Sequence, residues 1–290
     1  MRRASAIEKE SLQIATVQDL TSVFESIAST QVAKVKNKVE LSKQFFSLLW
    51  SRYSSIRVDP KTHITSRELG EGDTKSKQVF VIISAEAGLS GDIDLRLIET
   101  MLQSYDPKTT DIIVLGTHGA TQLTQHGIPF VRYFQVPETD KYIDVNPVID
   151  AVLPYSKVLV YYEEYISLGV QEIKTIDLVS SMRDMSEEAG ADDNIMTVAD
   201  TIFEPSLDDI ADQMEMTMMT LALSQTILES SLAQAASRFN AMAVAKKRAG
   251  DLLDDYSLEF HRAKRGESDR RLREVMVSLK KKRQHSGGQR

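Results

Sequence analysis

ASRFNAMAVAKKRAGDLLDD, residues 236–255, sits inside a much longer stretch without proline. It sets apolar residues at helical spacing among small and basic ones. Nothing in it carries obvious chemistry. All seven prolines lie between Pro60 and Pro205. Residues 1–59 hold neither proline nor glycine, and residues 206–286 hold only Gly250 and Gly266. Proline breaks helix interiors, so both flanks of the chain are free to run as long helices. The middle is left for strands and turns.

Periodicity supports that division. Val17, Leu20, Phe24 and Ile27 step by three and four. After a phase shift at Gln31, so do Val32, Val35, Val39, Ser42, Phe46 and Leu49. The shift resembles a coiled-coil skip. The C-terminal flank repeats the pattern with Leu228, Leu232, Ala235, Phe239, Met242, Ala249, Leu252 and Tyr256, then Leu272, Val275 and Leu279. These positions predict an apolar seam. At 1.5 Å per residue the second helix extends about 115 Å and the first about 80 Å. Two such helices at opposite chain ends pair most simply as an antiparallel coiled coil. The expectation is a rod with the α/β domain at one end and the other end free.

The middle reads as α/β. Residues 78–84 (QVFVIIS) and 111–115 (DIIVL) are continuous apolar runs, as expected of strands buried on both faces. Residues 157–162 and 171–179 read as further strands, and residues 129–134 follow a short helix at 121–127. Helical periods fall at 92–103 and 148–155. The alternation predicts a small, largely parallel sheet. The expected division is a helix over 1–59, an α/β domain over 75–200, a helix over 206–283 and a basic tail at 284–290. Residues 186–194 (SEEAGADDN) read as an exposed loop.

Composition narrows the function. With 42% apolar and 27% charged residues, the chain is ordinary for a folded globular protein. It has no cysteine, which excludes disulfides and thiolate metal sites. Its five histidines, His63, His118, His126, His261 and His285, form no i, i+4 ligand pair. No apolar run is long enough to span a membrane, and the N-terminus lacks a signal core. The net charge of −7 hides an asymmetry. Residues 184–216 carry eleven acids and no Lys or Arg, whereas 261–290 carry eleven Lys/Arg against three acids. Two opposite poles suggest two contacts. Few aromatics accompany the basic residues, so a stacking platform for nucleic acid is not indicated.

Candidate sites are sparse. Gly88 and Gly91 follow a predicted strand and precede a predicted helix, where backbone amides can cradle phosphate. No Lys-Ser/Thr follows and the third dinucleotide-motif glycine is missing, so tight-turn chemistry accounts for them. Gly116 and Gly119 flank His118 in another turn, with no carboxylate beside it in sequence. Glu163 and Glu164 are adjacent and point in different directions. The acids Asp208, Asp209, Asp212 and Glu215 suit the start of a helix. Arg238, Lys246, Lys247, Arg262 and Arg265 form either a solvated helix face or a surface for an acidic partner.

These residues resemble the gamma subunit of F-type ATP synthases over nearly the whole chain. Residues 20–32 (LTSVFESIASTQV) are similar to the family's I-T-K-A-M-x-M-V-A-A-S-K-M, and 85–91 (AEAGLSG) to S-D-R-G-L-C-G. Residues 116–119 (GTHG) resemble its G-x-K-G turn. Residues 160–162 (VYY) and 170–172 (VQE) match a tyrosine-bearing strand and a V-Q segment, and 203–206 (FEPS) its Y-E-P-S. Residues 229–253 resemble E-S-x-x-S-E-x-A-A-R-M-x-A-M-x-N-A-x-x-N-A-x-x-L, with Arg238, Ala241, Met242, Ala245 and Ala249 in register. Departures are Ser22 for the family's Lys, Phe24 for its Met, residues 264–271 (KRGESDRR) for R-Q-x-x-I-T-x-E, and the basic tail.

The resemblance implies a non-catalytic rotor shaft. Its helix pair would stand within a hexamer of alpha and beta subunits, with its Rossmann-like domain against the epsilon subunit and the c-ring. It would bind no cofactor itself, with ATP, ADP and Mg held by the partners. It would lie peripherally on the cytoplasmic face of the cell membrane or an equivalent energy-transducing membrane. Ser22, Ser26, Arg238, Lys246, Lys247, Arg262 and Arg265 would face the beta subunits. The acidic stretch would face the c-ring or epsilon. A shaft of a paralogous F-type-like ATPase, a free-standing coiled-coil adaptor, or an enzyme using the Gly88–Gly91 or His118 turn remain the other readings.

Overall fold

The computed structural model describes residues 3–55, 75–136, 143–178 and 207–286. The expected loop at 186–194, the 203–206 motif and the end of the tail lie outside them. So do the side chains of His63, His285 and the acids at 208, 209, 212 and 215. The chain begins with one helix, α1 (Ala4–Ser55), and the described part ends with another, α5 (Leu207–Ser286). Between them run β1 (Lys75–Ile83), α2 (Ile93–Leu102), β2 (Thr110–Leu115), α3 (Thr117–Gln125), β3 (Arg132–Phe134), α4 (Asn146–Val152), β4 (Tyr155–Ser167) and β5 (Val170–Asp177). Two compact units divide this chain: Met1–Ser26 with Ala241–Arg290, and Ile27–Asn240.

In the larger unit the strands form one sheet in the order β3-β2-β1-β4-β5. β1 pairs in parallel with β2, Phe80 opposite Ile112, and with β4, Phe80 opposite Leu159. β3 is parallel to β2, and only β5 runs antiparallel, hairpinned to β4 through Leu168–Gly169. The largely parallel sheet expected from the alternating pattern is therefore present. The apolar runs of β1 and β2 are continuous because both faces are covered. Phe80 and Ile82 point to α2 and α3, packing on Leu97, Ile98, Met101 and Leu123. Val79, Val81 and Ile83 point the other way, to Val148, Ile149 and Val152 of α4 and to Met218, Met219, Leu223 and Ile227 of α5. Farther along, Val35 and Val39 of α1 pack on Leu228 and Leu232 of α5.

The burial pattern of α1 corrects the seam. Ala4, Ile7, Thr21, Ala28, Val35, Val39 and Phe46 are buried. Ser11, Ile14, Gln18, Glu25, Val32, Ser42 and Leu49 are half-buried between them. Together they step by three and four without interruption, so there is no skip at Gln31. Phe24 is 38% and Ile27 48% exposed, and Val17 and Leu20 also face out. Picking the most apolar residues chose the wrong face. The real seam uses small and polar residues here because the opposing helix comes close. A Cβ on Gly250 would lie 3.1 Å from Gln18 Nε2.

The smaller unit is an antiparallel helix pair. Ala4 N donates to Glu267 Oε1 at 3.1 Å, and Lys246 meets Glu25 at 2.9 Å. On α5 the inward residues are Met242, Lys246, Ala249, Leu253, Tyr256, Phe260 and Ala263. This is again a heptad. Leu252, expected in the seam, is 48% exposed, and its neighbour Leu253 takes the inward place. Ala4, Ile7 and Ala263, with Tyr256 and Phe260, close the pair. Ile7→Ala should therefore cost about 2–4 kcal/mol, whereas Leu252→Ala should cost under about 0.5 kcal/mol. Urea unfolding of the two full-length variants measures the contrast, and equal losses would refute the register. Because α1 starts opposite Glu267, residues 268–280 of α5 have no helical partner among the described residues. They are exposed throughout.

Candidate functional site

In this sheet β2 and β3 lie on one side of β1, and β4 and β5 on the other. The chain direction of build-up reverses between β1 and β4. Open α/β sheets take their ligands just beyond the strand C-termini at such a point. Here a stretch of α5 occupies that place. Ser230 Oγ lies 3.4 Å from Ile83 O and in short contact with Glu163 Oε2. Gln234 Nε2 donates to Glu163 Oε2 and to Ser230 Oγ, both at 3.0 Å. Ser237 Oγ donates to Ser90 O at 2.6 Å. Arg238 donates from Nη2 to Ala87 O at 2.9 Å and from Nε to Gly88 O at 3.2 Å. Its Nη1 reaches Gln31 Oε1 of α1 at 3.5 Å. The glycine loop thus turns carbonyls onto a guanidinium instead of offering amides to a phosphate.

Beneath this plug lies a buried polar cluster. Asp94, in the first turn of α2, accepts from Ala85 N at 2.9 Å and from Ser90 Oγ at 2.8 Å. Its Oδ2 also meets His118 Nδ1 at 2.9 Å. The histidine that had no carboxylate beside it in sequence has one in space, 24 residues away. The arrangement is not a nucleophile relay, because Ser90 hydrogen-bonds to the acid and not to the imidazole. Burial pushes the Glu163 carboxyl up to about 8, and the nearby Asp94 charge adds to the effect. Hydrogen bonds from Ser230 and Gln234 pull the other way. Glu164, on the opposite side of β4, pairs with Lys174 at 2.7 Å. Burial pulls the Arg238 guanidinium down, against the opposing Asp94 charge.

Two glycines shape the turn that holds His118. Gly116 has φ +100°, and a Cβ there would sit 2.2 Å from Ser84 O. Gly119 would place one 2.5 Å from Ser84 Oγ, which accepts its amide at 2.9 Å. Of the other pair, Gly91 also has positive φ, while Gly88 is open to a side chain.

The residues expected to meet beta subunits divide. Arg238 and Lys246 are committed inside the chain, to the loop carbonyls and to Glu25. Ser22 is half-buried and Ser26 exposed. Lys247, Arg262 and Arg265 face out. What the sequence did not show is that part of the expected seam belongs to an apolar set that faces out of the helix pair. It comprises Leu12, Val17, Leu20, Val23 and Phe24 on α1, and Val244, Leu252 and Leu258 on α5. Leu272, Val275, Met276, Val277 and Leu279 extend the exposed apolar residues of α5.

In the larger unit, the crevice at the switch point of the sheet is filled by side chains of the chain's own helix α5. The chain belongs to the ATP synthase family, whose model matches residues 4–278. It is 22% identical over 284 residues to the ATP synthase gamma chain of Clostridium beijerinckii, covering 93% of this chain and 95% of that one. The ATP synthase gamma chain of Clostridium novyi is also 22% identical, over 281 residues with the same coverage. Among solved structures, the rotor of the Euglena gracilis mitochondrial ATP synthase shares the fold with a TM-score of 0.62 and 14% identity. That match covers 90% of this chain and 98% of the other. The central stalk and c-ring structure from Tetrahymena thermophila gives 0.57 and 14% over 78% and 99%.

Proposed function

We propose that the chain is the non-catalytic central-stalk, or gamma, subunit of an F-type ATP synthase. It couples rotation of the c-ring to ATP synthesis or hydrolysis in the alpha/beta hexamer. The observation that carries this reading is the family match over residues 4–278, which takes in both long helices and the sheet between them. The outward apolar stripe and the exposed cations Lys247, Arg262 and Arg265 fit a shaft that turns against a surrounding sleeve. An asymmetric shaft presents a different face to each beta subunit as it turns. Each beta conformation then gains or loses contact energy, which shifts the affinities of the catalytic sites in sequence. ATP, ADP and Mg belong to those partner sites. In this chain the usual α/β ligand crevice is filled by Ser230, Gln234, Ser237 and Arg238.

The partners are the alpha and beta subunits, the epsilon subunit and the c-ring, with no nucleic acid among them. No described helix is long and apolar enough to cross a membrane. We place the chain peripherally, on the cytoplasmic face of the cell membrane or an equivalent energy-transducing membrane. The test is a pull-down of the tagged chain from its native membranes, with masses assigned to the co-purifying proteins. Recovery of alpha and beta with epsilon and c is the expected result. Alpha- and beta-like subunits without epsilon or c would replace it with a paralogous motor. Neither set would overturn the shaft and leave a coiled-coil adaptor.

A further inference from the structure

We propose that Glu163 is a proton-controlled tie between the sheet and α5: the neutral carboxyl lets β4 and α5 close around it without a buried charge, and its ionisation weakens that packing. The inference goes beyond the central-stalk reading and does not rest on it. A buried carboxyl with one unpartnered oxygen and no counter-charge carries it. Ser230 has one hydroxyl hydrogen. It faces two acceptors, Ile83 O at 3.4 Å and Glu163 Oε2 in short contact. The short contact is the hydrogen bond of the two, since at 3.4 Å the carbonyl lies beyond ordinary O–H···O range. Ser230 Oγ and Gln234 Nε2 both reach Glu163 Oε2, and Gln234 Nε2 also donates to Ser230 Oγ. All three side chains are buried.

Ionising Glu163 leaves a buried negative charge with no cation. Among the described residues no ion pair reaches Glu163, and its Oε1 has no hydrogen-bond partner. The charged groups of the packed elements are already used. On α2, Asp94 repels a second negative charge. On α3, His118 is held by Asp94. On α5, Arg238 binds the Ala87 and Gly88 carbonyls, and Glu229 is paired with Lys43 of α1 at 2.7 Å. On β4 and β5, Glu164 and Lys174 pair with each other. Burial pushes the Tyr162 phenol up as well, with Glu229 and Glu164 adding to it, so it stays neutral.

Linkage sets the sign. The closed state holds the Glu163 proton up to pH about 8, whereas an opened state releases it near the ordinary carboxyl value of 4.5. The tie is at full strength below about pH 4.5, weakens as pH rises, and levels off above about 8. Amide hydrogen exchange of the full-length chain reads this. The α5 segment around Ser230 and Gln234 is compared with the same segment in Glu163→Gln at each pH, which cancels the chemistry of exchange itself. The wild-type to Gln ratio of opening should climb by up to about tenfold per pH unit between pH about 5 and 8, then flatten. Glu164→Gln should behave as the wild type does. A ratio independent of pH overturns the proposal. If Glu163→Gln fails to fold, the wild type and Glu163→Asn give the same slope, and its absence has the same meaning.

Discussion

Replacing Gly116 with alanine is expected to destabilise the chain by about 3 kcal/mol or more, while Gly88→Ala should leave stability within about 0.5 kcal/mol. Gly116 caps α3 with φ +100°, a region L residues rarely occupy. The space is closed as well. The added Cβ would lie 2.2 Å from the Ser84 carbonyl oxygen, a backbone atom of the residue that follows β1 and whose amide donates to Leu115 O at 2.8 Å. Relief requires moving β1 against α3, and Ser84 binds there to Leu115 O and the Gly119 amide. Gly88 has nothing within 4 Å of its would-be Cβ. Chemical denaturation of both full-length variants decides. Equal stabilities would mean that the turn after β2 is not built as described.

How legible the fold was depended on how local its signals are. Strands β1 and β2 announce themselves by unbroken apolar runs, because both faces are covered by helices. The long helices are legible from the absence of proline. β4 runs farther than residues 157–162 because its end, Tyr165–Ser167, is held by pairing with β5, a partner contact that a window of sequence does not contain. The seam failed for another reason. In the register at Gln18, Thr21, Glu25 and Ala28, close approach to Gly250 and the pairing with Lys246 favour small or polar residues. The more apolar Val17, Leu20, Phe24 and Ile27 are turned outward. A heptad count that ignored hydrophobicity and started from Val35 and Val39 would have found the inner face. The polar cluster was unreadable in principle: Asp94, His118, Glu163 and Ser230 meet only after the sheet has formed and α5 has crossed its end.

Charging the outer stripe of the helix pair should separate folding from assembly. In Val17→Asp/Leu20→Asp, both positions are more than half exposed, 51% and 53%. The chain's own stability should shift by less than about 0.5 kcal/mol per site. Assembly should respond quite differently. If a sleeve covers the stripe, each side chain contributes about 1.5–3 kcal/mol on burial, and putting a carboxylate in its place adds a desolvation cost. At about 1.4 kcal/mol per factor of ten, recovery of alpha and beta subunits with the tagged double variant should fall at least a hundredfold at limiting concentration. Its melting temperature alone should match the wild type. Ile7→Ala provides the opposite pattern: a lower melting temperature, with assembly restored once the temperature is reduced. Undiminished recovery with the double variant would show that this face of the helix pair stays in water, and the contact with the hexamer would have to be sought on the Lys247, Arg262 and Arg265 side. A fall in recovery with unchanged folding assigns the outward stripe to the sleeve. It would also explain why the most apolar residues of the N-terminal helix point away from its partner in the chain: the two heptad faces of one helix serve two different partners.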